Sequence, residues 1–193
     1  MLVTGCAHPT VALDHNPDSH PDKGIVFLSL TQSGTDVPIS WHYRETTPDE
    51  DKKPIKGSIY SYSAKTPDFN SPVGGLGVAS LPAGEYEFYK CLYGGNTYYV
   101  SKDFSIPFFI KPGTANYIGN VHIDILPRSA RFKLSLFDKS DRDISLIKSK
   151  YKYVHERHIR VALSELEERY SREYGVFDKY TAPTTVYITL PAR

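Results

Sequence analysis

The chain has 193 residues, the size of one ordinary domain, and a formal net charge of +1 with a pI near 7.8, so its charge gives no reason to invoke nucleic acid as a partner. It has no run of about 20 apolar residues, which excludes a membrane-spanning helix. Fifteen Tyr, nine Phe and fourteen Pro point to a β-dominated chain, and two Cys are too few for a disulfide framework.

At the start, Leu2-Val3-Thr4-Gly5-Cys6 sets small residues directly ahead of a cysteine. This stretch resembles the lipobox of bacterial lipoproteins, where small residues give a signal peptidase access to the scissile bond. The resemblance implies that Cys6 becomes the first mature residue and carries acyl chains on sulfur and nitrogen. Ala7 follows, rather than the Asp associated with inner-membrane retention. That implies a lipid anchor in the outer membrane of a Gram-negative cell, with the protein facing the periplasm. Only Met1 precedes the box, where the family carries basic and apolar stretches, so the chain is expected to be a shortened form. The plainer alternative is a chance Cys near a frayed terminus. Residues 7–23 (AHPTVALDHNPDSHPDK) lack periodicity and are predicted to be a flexible tether, able to hold a domain on the order of 50 Å from the membrane. His8, His15 and His20 with Asp14, Asp18 and Asp22 could form a metal-binding tract, but their irregular spacing favours a solvated linker.

The folded domain is predicted to occupy residues 24–193. Ile25, Phe27 and Ser29 alternate with Val26, Leu28 and Leu30 in a strand that can be buried on both faces. Val37, Ile39, Trp41 and Tyr43 alternate with polar residues in a second, with Trp41 expected in the core. A charged loop, Glu45 to Pro54, leads to a short strand at Ile59–Tyr62. Ala64 to Gly77 reads as a long loop whose glycine cluster matches no phosphate-binding motif. In LPAGEYEFYKCLYGG, Tyr86, Phe88 and Leu92 fall on one face of a strand, and Lys90 interrupts the pattern. Cys91 alternates with the core-facing positions and reads as an ordinary small strand residue. Phe104, Ile106, Phe108 and Ile110 share a face with Pro107 opposite, which marks an edge strand or a bulge. Tyr117, Gly119, Val121, Ile123 and Ile125 form the next face, and Phe132, Leu134 and Leu136 another.

Helical signals come late, in an insertion at about 141–175. Ser140-Asp141-Arg142-Asp143 reads as a capping arrangement, and Ile144, Ile147 and Tyr151 follow at helical spacing. Asp138, Asp141 and Asp143 lack the spacing of a calcium loop. His155-Glu156-Arg157-His158 lacks the zincin spacing and reads as an exposed pair. Ile159, Val161 and Leu163 alternate as a strand, Ser164-Glu165-Leu166-Glu167 opens a second helix, and Val186, Ile188 and Leu190 close the domain as a strand.

Roughly nine strands with one or two short helices predict a mainly β fold, a two-sheet antiparallel sandwich. LPAGEYEFYK followed by FSIPFFIKPGTANYIGNV resembles bacterial lipoproteins built on domains of unknown function, with immunoglobulin-like or transthyretin-like sandwiches. The resemblance covers about residues 24–137 and rests on turn and core positions. It implies a fold and an envelope location, and carries over no catalytic residue. No nucleophile elbow, C-x-x-C pair or Cys–His couple stands out, so the chain is expected to be non-enzymatic, without cofactor or metal. The expected function is a lipid-anchored envelope module that binds a protein or serves a structural role. The competing expectation is a carbohydrate- or peptidoglycan-binding module in which Tyr93, Tyr98 and Tyr99 stack on sugars.

Overall fold

The computed structural model describes residues 11, 15–34, 39–48, 51–60, 67–93, 98–100, 105–126, 131–162 and 185–189. Within them the chain is mainly β, as the alternating pattern predicted. Strands β1 (Lys23–Ser33), β2 (Ser40–Glu45), β3 (Lys56–Tyr60), β4 (Phe69–Asn70), β5 (Val73–Pro82), β6 (Gly84–Tyr93), β7 (Tyr98–Val100), β8 (Ile106–Ile110), β9 (Ala115–Leu126) and β10 (Arg131–Phe137) precede helix α1 (Ser140–Lys150). Strands β11 (Ile159–Val161) and β12 (Thr185–Thr189) follow it, and short 3-10 turns lie at Pro17–Ser19 and Glu156–His158. The expected second helix at 164–175 lies outside the described residues.

Hydrogen bonding links the strands in the order β3-β2-β6-β7-β12-β10-β9-β1-β5-β4, with β8 added on β6 and β11 on β9. The expectation of wholly antiparallel pairing is corrected at β9, which runs parallel to both β1 and β11. Parallel neighbours need a long crossover; between β1 and β9 the chain supplies one by passing through β2 to β8. In β8, Pro107 pairs with Glu87 of β6. Among the described residues β8 has no other strand neighbour, as expected of a strand that holds a proline.

Strand β1 is buried on both faces. Val26, Leu28 and Leu30 point into a core shared with Trp41, Tyr43, Tyr86, Phe88 and Phe108, where the Phe88 and Phe108 rings lie 5.0 Å apart. Ile25 and Phe27 point the other way, into a second cluster with Ala115, Tyr117, Ile147, Tyr151 and Val154. Each such side chain contributes about 1.5–3 kcal/mol on burial. The strands β2, β6 and β8 therefore pack on one side of β1 and β9, and α1 packs on the other.

Two bulges reset the predicted faces. Phe27 pairs with Tyr117 but Ser29 with Asn120, so β9 carries one extra residue, and Gly119 there takes a φ of +109°. Tyr117, Gly119, Val121 and Ile123 consequently do not share a face. Tyr117 looks toward α1, while Ile118, Val121 and Ile123 look into the main core. In β6, His42 pairs with Lys90 and Tyr43 with Phe88, leaving Tyr89 as the extra residue. This phase change carries Cys91 into the core beside Tyr86 and Phe88, where the uninterrupted alternation had placed it off that face.

The glycine cluster read as a loop is part of β5 and pairs with β1. A Cβ on Gly74 would lie 2.2 Å from the Leu30 carbonyl oxygen, so the close approach of the two backbones requires glycine.

Val11 is only 6% exposed and belongs to the cluster beneath α1. Pro17 is buried, and the Lys23 N–H donates to the His20 carbonyl. Val11 and Pro17, both within the stretch predicted as tether, are thus buried.

Candidate functional site

On the α1 side of β1 and β9 the apolar surface gives way to polar groups. Ser29, Thr31 and Ser33 occupy alternate positions of β1, and Asn120, His122 and Asp124 occupy alternate positions of β9. Register places Ser29 beside Asn120, Thr31 beside His122 and Ser33 beside Asp124. The bulge at Gly119 brings Tyr117 onto the same side as this row. Sequence reading missed the row, although its signal is present: Asn120-Val121-His122-Ile123-Asp124 alternates polar with apolar at the period of a strand.

Asp143 anchors the end of the row nearest α1. Its side chain is fully buried, yet it is well supplied with donors. Oδ2 accepts from Ser29 Oγ at 2.6 Å and from the Tyr117 hydroxyl at 2.8 Å. Oδ1 accepts from Arg142 Nε at 2.8 Å, and Arg142 Nη2 also donates to Ser29 Oγ at 2.8 Å. The Arg142 guanidinium lies 3.8 Å from the centre of the Phe69 ring. Burial first, then the Asp143 carboxylate, hold the Tyr117 hydroxyl well above the usual tyrosine range, so it remains a donor. The predicted capping role is corrected. The residue flanking the helix start is Lys139, which makes no side-chain cap bond. The 140 N–H is taken up by Asp138 Oδ1 at 2.9 Å, and Asp143 turns inward to the sheet.

Further along, Thr31 Oγ1 lies 2.9 Å from His122 Nδ1, and His122 Nε2 lies 3.2 Å from Asp124 Oδ1. In the tautomer with its proton on Nε2, His122 donates to Asp124 and leaves Nδ1 as an acceptor for the Thr31 hydroxyl. Thr31 Oγ1 in turn accepts from Asn120 Nδ2 at 3.1 Å, which also donates to the Ser29 carbonyl at 3.2 Å. Ser33 Oγ donates to Asp124 Oδ1 as well. Hydroxyl, imidazole and carboxylate are thus joined in the order that activates a nucleophile. Thr31, however, is only 1% exposed and its oxygen is enclosed by Asn120 and His122. A substrate carbonyl has no approach to it, and the geometry does the work of fixing β1 against β9.

A second polar cluster ties the early chain to the turn after α1. Asp18 Oδ2 accepts from Arg157 Nη2 at 2.7 Å, and Asp18 Oδ1 lies 3.2 Å from His158 Nε2. His158 Nδ1 accepts the His155 backbone N–H at 3.1 Å, and Arg157 Nε lies 3.1 Å from His158 Nε2, the ring nitrogen that faces Asp18. Desolvation pushes the Asp18 carboxyl up, but the Arg157 guanidinium and His158 outweigh it and hold it below the usual carboxylate range. The expected exposed histidine pair is half right: His155 is exposed, but His158 is buried. His15 and His20 stack at 5.1 Å. Among the described residues no three metal-ligating groups converge.

The residues singled out beforehand fare unevenly. Cys6 lies outside the described residues. Tyr93 and Tyr98 are paired across β6 and β7, and Tyr99 pairs with Leu92; the side chains of all three tyrosines lie outside the described set. Cys91 is buried, and burial pushes its thiol well above its ordinary value, out of reach as a nucleophile at neutral pH. No helix among the described residues is long and apolar enough to cross a membrane. Compared with known proteins, the chain matches no family model, no curated protein and no solved structure.

Proposed function

We propose that this chain is a lipid-moored, non-enzymatic module of the bacterial cell envelope, held at the outer membrane through Cys6, whose β body binds a protein partner or serves a structural role. One observation carries the reading. The lipobox-like stretch Leu2–Cys6 is followed, after only four intervening residues, by Val11 seated in the core. Anchor and body are thus joined by a short leash. Each buried CH₂ of an acyl chain contributes about 0.8 kcal/mol, so two or three chains make the mooring firm. The body reads as a two-sheet sandwich of the immunoglobulin-like or transthyretin-like kind, modified by its parallel β1/β9 pair. The enclosed Thr31 hydroxyl and the buried Cys91 thiol support a binding role over catalysis. The far side of β2 and β6 offers a partner-facing surface, where Arg44 pairs with Glu87 at 2.6 Å and its guanidinium lies 4.6 Å from the centre of the Tyr89 ring. The test is membrane flotation of the protein made in its own cell. The native chain is expected to float with the outer membrane and a Cys6→Ser chain to stay soluble; flotation of both would refute lipid mooring.

A second reading, glycan binding, has one observation in its favour: the β6–β7 ladder sets Tyr93 directly opposite Tyr98. Paired aromatic residues in a sheet can form a platform for a sugar face. Co-sedimentation with isolated peptidoglycan, lost on changing both residues to Ala, is the expected sign of it. No sedimentation of the native chain would dismiss it.

A further inference from the structure

We infer, on the basis of the lipid mooring proposed above, that the surface formed by the C-terminal end of α1 and the Glu156–His158 turn rests against the phosphate headgroups of the bilayer. The leash sets the distance. From Cys6 to Val11 there are five Cα–Cα steps, whose full extension is about 17 Å whatever path they take. Val11 belongs to the cluster that includes Ile147, Tyr151 and Val154, so the leash starts from the α1 side of the molecule. The Asp18 contacts to Arg157 and His158 hold the rest of the early chain beside that turn. The strands β2, β6 and β8 are on the far side of β1 and β9 and cannot reach the membrane while Val11 stays seated.

The chemistry of this surface suits headgroups. Lys148, Lys150, Lys152 and Arg157 are exposed, and Lys152 Nζ lies 5.2 Å from the centre of the Tyr153 ring. Such side chains lay apolar stems along a surface and present charge to phosphate. Lys148, Lys150 and Arg157 each have an acidic partner, Glu156, Asp68 and Asp18 respectively. The net charge there is therefore small. The acyl chains supply the affinity, and the basic side chains set only the orientation.

The test uses the full chain with Cys6 coupled to a maleimide lipid, a reaction that the buried Cys91 will not undergo. It is independent of whether the cell acylates Cys6, so flotation tests the mooring and this experiment tests the orientation. The coupled protein is placed on phosphatidylcholine vesicles containing phosphatidylglycerol, and lysine acetylation is followed by mass spectrometry. Lys148, Lys150 and Lys152 are expected to label about five-fold or more slowly than in the uncoupled protein, with Lys53, Lys56 and Lys90 unchanged. Equal labelling of both groups, or protection of Lys53 and Lys56 instead, would overturn the inference. A spacer of about 20 Gly and Ser residues inserted after Ala7 is expected to restore labelling of the three lysines. Protection that survives the spacer would show that the leash does not set the orientation.

Discussion

At Asp143 the physics of a single carboxylate decides between two roles that its sequence neighbourhood allows equally. In the first turn of α1 it complements the helix dipole in either case. Its side chain faces inward because Ser29 and Tyr117 lie beneath with hydroxyls to donate, and those partners sit 114 and 26 residues away in the chain. Local patterning cannot carry contacts of that separation, and this is why Ser140-Asp141-Arg142-Asp143 reads as a cap. Asp143→Ala leaves two buried hydroxyls without an acceptor and is expected to destabilise the fold by about 3 kcal/mol. The measurement is a urea midpoint with the slope unchanged. Ser29→Ala should cost about 1 kcal/mol, and the double variant less than the sum, because the two groups share one network. A cost below experimental error for Asp143→Ala would show that the cluster holds nothing. Cys91 gives a simpler check. In unacylated folded protein, iodoacetamide at neutral pH is expected to modify Cys6 alone, and Cys91 only after denaturation.

At the scale of the element, the strands were legible and their faces only partly so. The long alternating runs at 25–30, 85–92 and 117–125 all form strands, because period-two burial is a local property of the chain. The bulges at Tyr89 and Gly119 are not announced by any run, although Gly119 and the intrusion of Lys90 mark the two places. The loop predicted at 64–77 gives way to strand from Val73 onward for a related reason, since Gly74 reads as flexibility until the backbone of Leu30 is seen against it. Gly119→Ala puts a side chain at φ +109° and is expected to cost about 1–3 kcal/mol. Hydrogen exchange should show the loss first in β9 and in the contacts of Tyr117. An unchanged melting curve would mean that β9 can relax its bulge. The early chain should also respond to acid. Asp18 has a folded pKa held below its unfolded value, so its contribution is complete above about pH 4 and is lost as pH falls through the folded value. Protection of the amides at 15–20, taken relative to the intrinsic exchange rate at each pH, is expected to fall below that pH in the native chain. In Asp18→Asn that protection should already be low at neutral pH and vary little on acidification. Equal protection in both proteins at neutral pH would remove Asp18 from the account.

For the whole molecule, composition sufficed for the fold class, and topology lay beyond it. Which strands neighbour one another depends on crossovers such as the one that sets β9 parallel to β1, and alternation is blind to partner and direction. The short leash was equally hidden, because Val11 in AHPTVALDHN looks like any apolar residue in a polar segment until its place beneath α1 is known. Under the mooring proposed here, that place means close attachment in place of a long tether, with one face of the body toward lipid and another toward the periplasm. Everything functional in the account depends on Cys6 carrying that lipid. The most direct measurement is the intact mass of the N-terminal peptide from protein isolated from the membranes of its own cell. The expected result is a peptide beginning at Cys6 with the added mass of its acyl chains. A peptide with Cys6 unmodified would contradict the mooring and, with it, the orientation inferred from it.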